Sequence, residues 1–123
     1  MIAVDTSSLR RFLSGEQGSD VESVRFLLRG RQMVLPPVVL TEILSDPTLQ
    51  AATVDALAGI PLLTIADGYW SRAGQLRAQV LAAGHKSKIA DSLIAQSCID
   101  HEVPLVTHDR DFRHYTTWGL RLA

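Results

Sequence analysis

The stretch Met1-Ile2-Ala3-Val4-Asp5-Thr6-Ser7-Ser8 runs from apolar residues into an acid and then into three hydroxyls. Ile2–Val4 is apolar at consecutive positions, as a short strand buried on both faces should be. Working outward, runs of the same kind occur at Met33–Leu35, Leu62–Ile65 and Leu105–Val106, with a further candidate at Gly119–Leu122. Segments of helical period lie between them. Ser19-Asp20-Val21-Glu22 has a capping-box pattern, followed by an apolar stripe at Val24, Leu27 and Leu28. Asp46-Pro47 reads as a helix start and Gly59 as its stop. Asp67 to Ala83 predicts one long helix ending at Gly84. Ser87 is placed to cap the next, with Ile89, Ala90, Leu93, Ile94 and Cys98 on one broad face. The alternation predicts an α/β domain over residues 1–123, with a mainly parallel central sheet of four to five short strands flanked by helices.

Composition agrees with a folded chain. Hydrophobic residues are 46% and charged residues 20% of 123, which excludes a disordered polypeptide. One cysteine, Cys98, excludes a disulfide framework and a Cys-rich zinc site, and its neighbours make it a core residue. No apolar run approaches a membrane span, and no basic segment followed by an apolar stretch suggests a secretory signal, so a cytoplasmic location is expected. Twelve Lys and Arg against thirteen Asp and Glu leave a net charge of −1. A protein that held a polyanion by its bulk field would be basic, so here a cation, a partner or local clusters must supply positive charge.

In an open α/β sheet, ligands sit outside the carboxyl ends of the strands. Asp5 follows the first strand; Asp109 follows Pro104-Leu105-Val106-Thr107-His108, with Asp111 two residues on. Each alone is commonly a helix cap or turn residue. Glu42 lies on the flank of Val38-Val39-Leu40-Thr41-Glu42-Ile43-Leu44, whose apolar face is Val39, Leu40, Ile43 and Leu44; such a glutamate is usually solvated. Asp91 lies one turn into its helix, where the N-terminal partial charge favours an acid, yet it borders the buried stripe. Together Asp5, Glu42, Asp91 and Asp109 form a candidate pocket at one edge, with Asp111 at its rim. Clustered carboxylates either take up protons or bind cations, and all-oxygen ligands suit Mg²⁺ or Mn²⁺.

At these residues the chain resembles the PIN-domain ribonucleases, and within them the short VapC-type toxins of prokaryotic toxin–antitoxin pairs. The resemblance is carried by Ile2-Ala3-Val4-Asp5-Thr6-Ser7, Val38-Val39-Leu40-Thr41-Glu42-Ile43, Ile89-Ala90-Asp91-Ser92-Leu93-Ile94-Ala95 and Pro104-Leu105-Val106-Thr107-His108-Asp109-Arg110-Asp111-Phe112, in that order along the chain. It implies a metal-dependent endoribonuclease using Mg²⁺ or Mn²⁺, with an acidic quartet of Asp5, Glu42, Asp91 and Asp109. Asp5 and Asp91 would be the main metal ligands, with Asp109 close to a metal. Glu42 would hold or help deprotonate the attacking water, in an in-line reaction leaving a 5′-phosphate and a 3′-hydroxyl. Thr107, and Thr6 or Ser7, would bond the acids or the scissile phosphate. Asp111 either joins the site or faces Arg110 or Arg113 and shapes the turn. The implied partners are an RNA substrate, a VapB-like antitoxin and a second copy in a homodimer.

Arg10, Arg11, Lys86 and Lys88 are candidate RNA backbone contacts, because phosphates are met by such small basic groups near a site. Glu22 is spaced to pair with Arg25. The histidines 85, 101, 108 and 114 share no metal-ligand spacing. Tyr69 and Trp70 either pack inward or, by the resemblance, meet a partner. Two other readings compete. A Mg²⁺-binding phosphoacceptor domain of the receiver kind would need a second acid after the first strand and a Lys-Pro after the last, and both are missing. A non-catalytic RNA- or protein-binding module would not need four acids, which repel RNA unless a cation is bound.

Overall fold

The computed structural model describes residues 1–123. Strand β1 (Ile2–Val4) is the centre of a three-stranded sheet in the order β2-β1-β3, with β2 at Met33–Val34 and β3 at Leu105–Val106. Both pairings are parallel, Ile2 opposite Met33 and Ala3 opposite Leu105. The expected fourth and fifth strands are reduced to single parallel bridges, Leu62 to Leu35 and Leu122 to Leu105. Each passes the sheet once and turns away, because Leu62 and Leu122 stay exposed and only Leu63 and Leu120 enter the core. The sheet is therefore three strands, not four to five. Its strands are as short as the apolar runs that encode them, and every residue from Ala3 to Val4, Met33 to Leu35 and Leu105 to Val106 is buried.

Helices cover the sheet: α1 (Thr6–Leu13), α2 (Ser19–Arg29), α3 (Pro37–Leu44), α4 (Ala51–Ala58), α5 (Tyr69–Ala82) and α6 (Ile89–His101). Several starts differ from the sequence expectation. Gly18 stands at the N-cap of α2 in place of the Ser19 capping box, and Asp20 turns inward to other partners. Asp46 closes a local turn, accepting from the Thr48 N–H at 2.8 Å, and α4 begins only at Ala51. Gly68, at φ 79°, precedes α5 in a left-handed conformation that favours glycine. Lys88, not Ser87, is the residue before α6. The buried face of α6 is Ser92 and Ile94 to Cys98, while Ile89 is exposed.

After β3 the chain forms a tight 3₁₀ helix, Arg110–Trp118. Three residues per turn stack Phe112, Tyr115 and Trp118 on one side, and all three pack on the core. Burying the first two stabilises the fold by roughly 2 to 3 kcal/mol each. That gain offsets the poorer hydrogen-bond geometry of a 3₁₀ run this long. Arg72 joins α5 to α6 through a paired contact with Asp100, Nη2 to Oδ2 at 2.6 Å and Nε to Oδ1 at 3.0 Å. Gln96 Nε2 donates to the same carboxylate at 2.8 Å. Cys98 is buried, and that burial pushes its thiol up to about 12, so it is an inert core residue. Tyr69 packs inward and donates to the Leu93 carbonyl at 2.7 Å, whereas Trp70 is exposed. No helix is long and apolar enough to cross a membrane.

Candidate active site

Parallel pairing puts the carboxyl ends of β1 and β3 at one edge, and that edge positions the first acids. The Asp5 N–H donates to the Val106 carbonyl at 3.1 Å, which locks the residue after β1 to the last residue of β3. Asp5 then caps α1: Oδ1 accepts from the Ser8 N–H at 3.0 Å. The Ser7 hydroxyl donates to the same carboxylate at 2.9 Å, and Thr107 Oγ1 donates to Oδ2 at 2.6 Å. Asp5 is only 2% exposed. Burial pushes its carboxyl above the ordinary range, the Ser8, Thr107 and Ser7 bonds pull it down, and the Asp109 charge adds to the rise. Three donor hydrogens against roughly four lone-pair sites leave room for one more contact.

Thr107 also ties in Asp109, whose N–H donates to Thr107 Oγ1 at 3.0 Å. Asp109 caps the 3₁₀ helix through the Asp111 N–H, 2.9 Å from its Oδ1. Asp111 itself is exposed. Its carboxylate stands 3.9 Å from His114 Nε2 and forms no ion pair with Arg110 or Arg113, which corrects the expected arginine contact. Glu42 comes from α3, which starts at Pro37 directly after β2 and Pro36. Thr6 Oγ1 donates to Glu42 Oε1 at 2.6 Å, so the hydroxyls after β1 reach two acids: Ser7 holds Asp5 and Thr6 holds Glu42.

Asp91, half-buried in the first turn of α6, registers the whole group. Burial, then the charge of Asp109, then those of Glu42 and Asp5 raise its carboxyl from 3.8 to about 6, against the opposing pull of Lys88. The helix N-terminus favours an ionised acid at this position. Burial and three neighbouring carboxylates outweigh it. The charges of Asp109, Glu42 and Asp5 thus all act on Asp91.

The donor set is all carboxylate oxygen, which suits a hard divalent cation. No three His, Cys, Asp or Glu side chains converge on a single coordination point. A cation here would accordingly take one or two carboxylates and keep water on its other positions, the ordinary manner of Mg²⁺. Asp5, Asp91 and Asp109 are the candidates, no more than two of them at once.

The basic candidates divide. Lys86 and Lys88 are exposed and form no ion pair; Arg10 is exposed, with Nη2 3.5 Å from the Glu42 carbonyl. Arg11 is already engaged, with Nε 3.1 Å from Asp20 Oδ2, Nη1 3.1 Å from Glu16 and Nη2 2.8 Å from the Gln17 carbonyl. It braces the α1–α2 corner and is not a free phosphate contact.

Asp20 was not among the sequence candidates. It is buried beside the site and accepts from Ser8 Oγ at 2.9 Å; its carboxyl lies below the ordinary range because the Arg11 and Ser8 bonds outweigh its burial. No signal in the chain marks it, since its partners lie nine and twelve residues earlier and meet it only when α1 packs on α2. Ser8 therefore serves two acids, Asp5 through its N–H and Asp20 through its hydroxyl.

No curated protein matches the chain significantly. The PIN domain family, however, matches residues 2–117, a span that holds every one of the acids above. PIN domains are in general metal-dependent nucleases, in keeping with a carboxylate pocket at a sheet edge. By that match over nearly its whole length, the chain belongs to the PIN domain family.

Proposed function

We propose that this PIN domain is an endoribonuclease of the VapC toxin kind, hydrolysing phosphodiester bonds in loops of structured RNA such as tRNA or rRNA with Mg²⁺ or Mn²⁺. The observation that supports the reading best is the gathering of acids at the open edge of the sheet, where Thr107 bonds both Asp5 and Asp109 and Thr6 holds Glu42. Acids crowded in this way cost stability, and a bound cation turns the cost into a gain. A divalent ion there would polarise a phosphate and acidify water. The other roles fall to the chain. Asp5 and Asp91, with Asp109 beside them, would hold the ion. Thr107 and Ser7 keep Asp5 oriented. Glu42, steadied by Thr6, is the group available to orient the attacking water and take its proton. Lys86, Lys88 and Arg10 are free to neutralise the RNA backbone.

A toxin of this kind needs a restraint. The reading therefore includes a VapB-like antitoxin that covers the acids, a homodimeric assembly and a cytoplasmic location. An arginine offered by the antitoxin would suit the pocket, because a guanidinium pairs with carboxylates in place of a cation.

The test is cleavage of total cellular RNA by purified protein with Mg²⁺, Mn²⁺ or EDTA, beside an Asp91→Asn control. Discrete metal-dependent fragments with 5′-phosphates, absent from the control, are expected. Folded protein that cuts no RNA with either metal, and binds no Mn²⁺ by calorimetry, would overturn the reading.

A further inference from the structure

Beside the acid pocket, two histidines from distant parts of the chain lie face to face. The rings of His85, in the loop after α5, and His114, in the 3₁₀ helix, have centroids 3.9 Å apart and planes within 11°. This pair is not core: His85 is exposed, and the His114 side chain keeps 31% of its surface. The surroundings nevertheless hold it in place. In the same loop, Ser87 Oγ bonds Tyr115 Oη at 2.5 Å, both residues being buried, and Arg77 Nε donates to the Ser87 carbonyl at 2.9 Å. Ser87, two residues after His85, thereby ties the loop to the 3₁₀ helix through its hydroxyl and to α5 through its carbonyl.

The pair is linked to the acids on both flanks. His114 stands next to Asp111, whose N–H bonds Asp109. His85 lies six residues before Asp91 in the chain, with the exposed Lys86 and Lys88 between them. Parallel rings direct their in-plane lone pairs side by side and not at one point, so the stack is poorly shaped to ligate a metal. What it presents is a flat, exposed π surface, already ordered, between lysines and a carboxylate pocket. Single-stranded RNA is recognised on such surfaces: unpaired bases stack on aromatic rings, histidine included, while cations hold the adjoining phosphates.

We propose that His85, held flat by His114, is a stacking platform for one unpaired nucleobase next to the phosphate that is cut. The proposal rests on the nuclease reading and adds to it a subsite. It makes the substrate a strand with a splayed base near the scissile bond.

The experiment uses two fluorescent single-stranded RNA decamers, one of adenosines and one abasic throughout, with binding followed by anisotropy in Mg²⁺. An Asp91→Asn background prevents cleavage. The base-bearing decamer is expected to bind about 5- to 150-fold more tightly than the abasic one, the range of a single stacked base. His85→Ala should bring that ratio close to one, and His85→Phe should restore it, with melting temperatures unchanged. An undiminished ratio in His85→Ala, or no binding of either decamer, would overturn the platform. Metal-dependent cleavage of total RNA by the unsubstituted protein tells the two failures apart. If it persists, only the platform falls; if it is absent and calorimetry shows no Mn²⁺ binding, the nuclease reading fails as well.

Discussion

Replacing Asp91 by asparagine should stabilise the metal-free protein while ending its activity. The Asp91 carboxyl is raised from 3.8 to about 6, chiefly by burial and by Asp109. The folded state therefore holds a proton that the unfolded chain releases, and stability falls as pH rises from about 4 through about 6. The full gap is worth at most about 3 kcal/mol at 1.36 kcal/mol per pH unit. Asp91 is only half-buried, and solvent screening brings this to roughly 1 to 2 kcal/mol. Asparagine keeps the shape and removes the charge. Above pH 7 in EDTA, Asp91→Asn should thus melt about 3 to 8 °C higher than the unsubstituted protein. Near pH 4 the difference should vanish. Thermal melts across this range, repeated with Mn²⁺, provide the assay. The metal should raise the melting temperature of the unsubstituted protein more than that of the variant and so close the gap. A variant no more stable at high pH, or a gain that ignores pH, would refute the idea that burial and nearby carboxylates raise the Asp91 carboxyl.

Other expectations follow from single contacts. Glu42→Gln should lower the cleavage rate far more than Mn²⁺ affinity, read by turnover against calorimetry, because Glu42 is assigned to the water and not to the ion. Arg72→Ala leaves the half-buried Asp100 with only Gln96 and should cost about 1 to 2 kcal/mol in urea denaturation, without changing metal affinity. Tyr115→Phe removes the bond to Ser87 and should cost about 1 to 2 kcal/mol, with faster hydrogen exchange over residues 84–88. Asp20→Ala strands Ser8 and Arg11 beside Asp5. It should lower stability by about 1 to 3 kcal/mol in urea, with the loss confined to pH values above the titration of Asp20.

The chain alone made much of this legible. Consecutive apolar runs at Ile2–Val4 and Leu105–Val106 specify buried parallel strands, because a strand covered on both faces has no polar side to encode. Parallel strands then oblige Asp5 and Asp109 to share an edge, whatever the helices do between them. Local pattern also yielded the Gly59 stop of α4 and the Glu22–Arg25 pair, at 2.5 Å. It misled where packing overrides propensity. Leu62 and Leu122 have strand-forming neighbours but only a bridge each, since a strand needs a partner along its length and the sheet offers one residue.

Tertiary structure alone decided the remainder. Whether Glu42 and Asp91 join Asp5 depends on how α3 and α6 lie on the sheet, which helical period alone does not say. The assignment of Thr6 to Glu42 and Ser7 to Asp5 required knowing which way each hydroxyl turns at the end of β1. Arg11, a free cation in the sequence, is claimed by Asp20, and His85 meets His114 across 29 positions of chain. Periodicity reports burial, a property of one segment at a time. Charge coupling, ion pairing and ring stacking belong to pairs of segments, and only the folded chain brings such pairs together.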